Sequence, residues 1–376
     1  MNKPLLLAGF AVKVLLGLLY GYIFLHFYNG DDTWKHFRAS LAETELLLNN
    51  PGLFFTPANA LGTGKNAFDV FYSYLNDLQY VLLVKSMAVI NLVTNGNYYL
   101  NLVFFNAIVF FGHYWLYEVF SDVFPQKRKL YFIIIFFFLP PVFWLSGIRV
   151  DGLLFFFLSM FLRGLTRNKK RWLMIVIGFA GVLICRLQIA VLLSITSIGY
   201  YLHMRFGRAL SAYTSVYLVA LLIFFLPMTR FSGIIAEKQN EFSNLKGTKF
   251  KLDKLEGTPV SYLKVLPQAA GNTFFRPAPW EAKGPLQLMA SAEVVVFWLI
   301  FIASVKYRHR FWRVRMSQPV LMMLLFLGIT TYIFIGYVVP FPGAIVRYKA
   351  IPELMILCWM VSLTSWGEQK HYNKLE

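Results

Sequence analysis

The stretch KPLLLAGFAVKVLLGLLYGYIFLHFYNGDDTWKHF, residues 3–37, decides the fold class. Its first part, Pro4 to Tyr28, is an apolar run of the length a helix needs to cross a bilayer, since about 1.5 Å of rise per residue lets roughly 20 residues span the hydrocarbon core. The run is too long for the core of a cleavable signal and lacks a small-residue cleavage site. A retained first membrane helix is therefore expected. At Asn29-Gly30 the apolar pattern stops, and two acids, Asp31 and Asp32, follow at once.

Working outward, similar runs recur along all 376 residues. The chain is 58% hydrophobic and only 14% charged, too little charge to cover the surface of a soluble domain of this length. Mean hydropathy is +0.56. The expected fold is all-α, a polytopic transmembrane helix bundle of about ten spans over residues 1–376. The spans are read at 4–28, 98–120, 130–146, 151–165, 172–185, 188–203, 211–229, 288–305, 319–338 and 349–366. Neither an internal repeat nor a nucleotide-binding loop is visible, which argues against inverted-repeat and ATP-driven transporters. Cys185 and Cys358 both sit in apolar runs, so neither a disulfide framework nor a thiolate metal site is expected.

Charge gives the bundle a side. The net charge is +18. With no nucleic-acid-binding module beside it, this charge is expected to face anionic membrane lipids rather than nucleic acid. With Lys3 placed inside, five further segments fall inside: Lys127-Arg128-Lys129, Arg163 to Arg171, Arg205 and Arg208, Lys306 to Arg315, and the tail with Lys370 and Lys374. Together they hold 18 basic residues against four acids (Glu118, Asp122, Glu368, Glu376), a net of +14 on one side. Both termini are thus expected in the cytosol. Residues 79–94 would reverse this order if they crossed alone. They are expected to be interfacial or re-entrant, with Lys85 near the surface.

The opposite face collects the polar motifs. Two long outer segments, 29–97 and 230–287, are expected to form short interfacial helices. Asp31, Asp32, Trp34 and His36 follow the first span. Arg149 and Asp151 lie in Ser146-Gly-Ile-Arg-Val-Asp-Gly, and Arg186 and Gln188 in the next outer turn. Arg276, Trp280 and Glu281 precede the eighth span, and Arg347 and Tyr348 the last. Arginines in short outer loops run against the usual charge bias, and their planar forks suit phosphate. Internal pairs, Arg149 with Asp151 and Arg276 with Glu281, are the plainer alternative. Asp31 or Asp32 can act as a general base, or Asp32 can simply cap a helix. Such carboxylates also suit a divalent metal, which nothing in the pattern requires. His36 would share a helix face with Asp32. Trp34 and Trp280 can stack on a sugar or anchor at the interface. Glu293 and Glu353 fall inside spans, where acids are costly and usually purposeful, though both lie near the outer ends and can snorkel.

These residues carry a family resemblance. Gly30-Asp-Asp-Thr-Trp-Lys-His-Phe37 resembles the acidic first outer loop of GT-C-type membrane glycosyltransferases. Ser146-Gly-Ile-Arg-Val-Asp-Gly-Leu153, Phe275-Arg-Pro-Ala-Pro-Trp-Glu281 and Gly343-Ala-Ile-Val-Arg-Tyr348 resemble motifs of bacterial polytopic proteins that make exopolysaccharide and cell-envelope glycans, polymerase-like ones included. The resemblance implies sugar transfer from a polyprenyl-phosphate carrier to a glycan acceptor at the outer face. It implies a catalytic acid at Asp31 or Asp32 and a phosphate-holding role for Arg276 or Arg347. The first-loop acids are not the Asp-Glu pair of many members, and no C-terminal outer domain is expected. A lipid-linked oligosaccharide polymerase, and a non-enzymatic flippase or structural subunit, remain alternatives.

Overall fold

The structure is a computed structural model that describes residues 3–64, 67–167, 171–282 and 284–367. Lys169, Lys170, Lys370, Lys374, Glu368 and Glu376, all used in the charge argument, lie outside the described residues. Among the described residues the fold is all-helical. Its one β-type pairing is an isolated bridge between Arg308 and Thr364.

Among the described residues six helices are long and apolar enough to cross a membrane: Lys3–Phe27, Ala67–Thr94, Tyr98–Val123, Leu187–Phe206, Pro285–Lys306 and Pro319–Val338. Much of their surface is apolar and faces outward, as Leu7, Leu15 and Leu19 do on the first. Lipid, not water, is the solvent such a face requires. Several expected spans are shorter or broken. Residues 130–146 form two helices, Arg128–Phe137 and Leu139–Trp144, because Pro140-Pro141 cannot continue the first. Trp172–Cys185 and Ala209–Phe225 are apolar but short.

Residues 79–94 are not a separate short segment. They are the second half of a 28-residue helical run, Ala67–Thr94, with a π-helical stretch at Val81–Lys85. By length and composition this run is long and apolar enough to cross a membrane. Lys85 is buried rather than superficial, and its ammonium donates to the Phe54 and Thr56 carbonyls at 2.5 and 2.6 Å. These two bonds tie the 50–60 segment to the helix. Asp77 assists by accepting from the Ala58 and Asn59 amides at 2.8 and 3.0 Å.

The expected single membrane domain divides into two compact units. The first comprises Met1–Val123 and Ile135–Ala190; the second, Phe124–Ile134 and Val191–Glu376. In the first, Val150–Thr166 packs between Tyr98–Val123 and Trp172–Cys185, and Lys3–Phe27 packs on Tyr98–Val123. Small residues set these distances. A Cβ on Gly178 would lie 2.6 Å from the Phe161 amide nitrogen. Buried amides pin the outer helix Asp32–Asn49 to this bundle. Asn91 donates to Ser40 Oγ at 3.1 Å and to Thr44 Oγ1 at 2.9 Å, and accepts from Asn101. Arg163 is equally local, bonded to Glu118 at 2.9 Å and Asp122 at 2.5 Å.

In the second unit, Pro319–Val338 packs against Pro342–Ser362 and Pro259–Phe274. Segment 230–287 is helical in part, as Phe231–Asn244 and Pro259–Phe274. Gln239 ties it down by donating to the Asp253 and Tyr337 carbonyls at 3.0 and 2.9 Å. Lys127 ties residues 124–134 to the same unit, donating to the Thr364 and Trp366 carbonyls at 2.7 and 2.9 Å. Helix contact is closest at Gly336, where a Cβ would lie 1.9 Å from the Ala269 carbonyl oxygen. The obstacle is backbone, so Gly336→Ala must separate the two helices. The expected loss is about 1–3 kcal/mol, read as a lower melting midpoint of the purified protein in detergent. Gly271→Ala on the neighbouring helix, where a Cβ meets nothing within 4 Å, should leave the midpoint unchanged or raise it.

Candidate functional site

The chain folds back at once after the first helix. Asn29 and Gly30 take positive φ values of 55° and 77°, and the Gly30 amide donates to the Phe24 carbonyl at 2.7 Å. This turn delivers Asp31 in extended conformation to the start of helix Asp32–Asn49, where its Oδ1 accepts from the Thr33 amide at 2.9 Å. The cap is Asp31, one residue earlier than the capping alternative placed it. Asp32 is therefore the first helical residue, released from capping.

A second turn faces it. Leu145 to Arg149 link Leu139–Trp144 to Val150–Thr166. Their carbonyls are held by side chains from two other helices. Lys13 donates to the Leu145 carbonyl at 2.9 Å, and Asn106 to the Ser146 carbonyl at 2.9 Å. Gly147 must be glycine for contact with Tyr20, since a Cβ there would lie 2.7 Å from that ring. The turn thereby presents Arg149 to the two acids. One guanidinium nitrogen bonds Asp31 and donates to Tyr20 Oη at 3.0 Å; the other lies 2.5 Å from Asp32. Tyr20 in turn donates to Asp31 at 2.9 Å. Asp151 stands 3.8 Å from Arg149 Nε and 3.3 Å from Arg186.

Five of the residues expected at a site are thus joined in one cluster: Asp31, Asp32, Arg149, Asp151 and Arg186. Their formal charge is three negative against two positive. Burial alone disfavours the Arg149 charge, but Tyr20, Asp151, Asp31 and Asp32 outweigh it and hold the guanidinium above its ordinary value. The Arg149 side chain is 5% exposed and the Asp32 side chain 56%, so the cluster opens outward through Asp32. Arg149 was expected to grip phosphate. Its fork is instead occupied by carboxylates, the internal-pairing alternative, with Asp31 and Asp32 as partners more closely bonded than Asp151.

His36 lies one helical turn beyond Asp32. Its burial lowers the imidazole pKa from 6.5, with Asp32 pulling upward and Arg149 and Lys35 downward. The folded protein therefore binds this proton less readily than the unfolded chain does. That contribution to stability is complete above 6.5 and is lost as pH falls through the lowered folded value. Melting midpoints measured on either side of 6.5 should fall toward acid, and the fall should shrink in His36→Gln.

Trp34 does not offer a face to sugar. It is buried, donates from Nε1 to the Gly21 carbonyl at 3.0 Å, and stacks on Tyr98 with ring centroids 3.8 Å apart. The packing of Asp32–Asn49 against the first helix turns this residue inward, which corrects its expected substrate contact. Gln188 sits half-buried in the first turn of Leu187–Phe206, in the same unit as Arg186.

The remaining expected residues belong to the second unit. Arg276 pairs with Glu281 at 3.1 Å, donates to Asn272 Oδ1 at 3.2 Å and lies over the Phe250 ring at 4.2 Å. The Glu281 carboxylate also accepts from the Ala278 amide at 2.9 Å. Even so, the Arg276 side chain is 37% exposed, and Trp280 is 86% exposed. Arg347 donates to Tyr348 Oη at 2.9 Å.

Sequence reasoning missed Tyr20, Lys13 and Asn106, which build the cluster from within apolar helices. The signal available was a lysine and an asparagine inside such helices, both costly unless they have partners. Among the described residues no group of three or more His, Cys, Asp or Glu side chains is disposed to hold a metal ion. The fold and cluster together define a class, an all-helical membrane protein with an acid–arginine cluster at a helix exit. Comparison with protein-family models, curated proteins and solved structures finds no match.

Proposed function

We propose that the protein is a membrane glycosyltransferase of the bacterial inner membrane. It takes a sugar from a polyprenyl-phosphate carrier at the non-cytosolic face, for cell-envelope glycan or exopolysaccharide synthesis. One observation carries the reading: Asp32 is an exposed carboxylate aimed by a buried arginine, while its neighbour Asp31 carries the structural work of capping and ion pairing. Asp32 is accordingly the general base that takes the acceptor hydroxyl proton as the sugar–phosphate bond breaks. Asp31, Tyr20 and Arg149 position it. In this reading residues 67–94 do not reverse the order of crossings, and the charge asymmetry along the chain supports both termini in the cytosol and this cluster outside.

Arg149 spends its donors on carboxylates, so it positions Asp32 and is not assigned to the carrier phosphate. In the second unit, taken by itself, Arg276 is partly exposed while paired with Glu281, and Arg347 donates to Tyr348. Trp280 supplies an exposed aromatic face for a sugar or for the interface. The saturation of Arg149 also favours a second reading, in which the cluster is only a clasp holding the first-loop helix in a non-enzymatic envelope subunit. Envelope-glycan analysis of cells carrying Asp32→Asn separates the two. Loss of the glycan at unchanged protein level supports transfer; an unchanged glycan profile rejects Asp32 as the base.

A further inference from the structure

Glu293 and Glu353 do not reach the interface from their helices. They are 2% and 0% exposed and lie within the core of the second unit, on Pro285–Lys306 and Pro342–Ser362, which pack together. Among the described residues none of their four carboxyl oxygens has a hydrogen-bond donor. Along the same two helices Val294, Phe297 and Leu357 are buried as well. The ionisable groups that face them are Lys349, 2% exposed and one turn before Glu353, and Tyr332 from Pro319–Val338.

Each carboxyl is the other's neighbour, within reach of a shared hydrogen bond. Two carboxylates cannot form that bond, because both are acceptors only. One added proton changes this. A carboxylic acid donates to a carboxylate and satisfies a buried oxygen on each. The charges agree with the geometry. Two carboxylates and one ammonium sum to one negative charge in a medium that tolerates none cheaply, and a single proton brings the trio to zero.

We propose that Glu293, Glu353 and Lys349 form a buried proton-binding site, in which the two carboxyls hold one proton between them beside the lysine ammonium. The proton comes from water and adds to one carboxylate oxygen, with no other bond made or broken. This site is separate from the Asp32 cluster and does not depend on a transferase reading. It gives the second unit a charge that changes by one with protonation, inside its helix packing.

Infrared spectra of the full chain in lipid nanodiscs at neutral pH test this through the carbonyl stretch of a protonated carboxyl, assigned to glutamate by isotope labelling of glutamate. The wild type should show one such group. Glu293→Gln and Glu353→Gln should each lose it, because the remaining carboxylate is neutralised by Lys349 without a proton. Lys349→Met should double it, because each carboxyl must then be neutral. Absence of a glutamic-acid band in the wild type overturns the proposal with no variant needed. So does a band unchanged in a folded Gln variant, or one abolished by sodium or potassium at constant pH, which would make the site a metal-cation site.

Discussion

Arg149→Met is expected to cost about 3–5 kcal/mol of stability, the largest effect of any single substitution in the first unit. The reason is what it leaves behind. Asp31 and Asp151 are buried or nearly so, and Arg149 is the cation they share. Tyr20 would also lose the donor to its hydroxyl. Arg149→Lys should recover only part, because one ammonium cannot reach Asp31, Asp32 and Tyr20 from two nitrogens as the guanidinium does. Pairing Arg149→Met with Asp31→Asn should recover more, since asparagine still caps the helix while the uncompensated charge is gone. Melting in detergent, followed for these four chains, measures the effect. An Arg149→Met midpoint equal to wild type would mean that the cluster is solvated and holds nothing.

Asp32→Asn should behave in the opposite way, with little change in melting and a loss of sugar transfer of about 10²- to 10⁴-fold. The capping role belongs to Asp31, and the Asp32 side chain is half open, so its removal leaves the helix start intact. The loss should fall on kcat rather than KM, because a base acts in the transition state. Asp31→Asn should show both a lower midpoint and a lower rate, as expected of a residue that positions the base. The measurement is transfer of labelled sugar from polyprenyl-phosphate donor in membranes holding equal amounts of each chain. A rate in Asp32→Asn equal to wild type would remove the carboxylate mechanism.

Much of the site was legible because polar residues beside apolar runs are conspicuous. Asp31, Asp32, Arg149, Asp151 and Arg186 stand out in this way, and the structure joins all five. Their partners were less legible. Lys13 and Tyr20 lie inside the first apolar run, where they read as tolerated exceptions. Only the position of the 145–149 turn shows that Lys13 binds a carbonyl there and that Tyr20 bridges Arg149 to Asp31. Trp34 misled for the converse reason. It sits among polar residues in the chain, yet helix packing turns it inward onto Tyr98. Glu293 and Glu353 also misled. Nearness to a helix end suggests an escape to water, but neighbouring helices close that route.

By itself the amino-acid sequence determined that this is a helical membrane protein and that its basic residues are unevenly distributed, because both follow from local composition summed over helix-length windows. It also marked the acids and arginines that matter, since charge next to hydrocarbon is expensive wherever it occurs. Only the tertiary structure decided which of two adjacent aspartates caps and which is exposed, that Arg149 serves carboxylates, and that residues 67–94 form one long helix. Those outcomes depend on a turn at Asn29-Gly30, on glycine contacts between helices and on partners more than a hundred residues away, none of which a local pattern encodes.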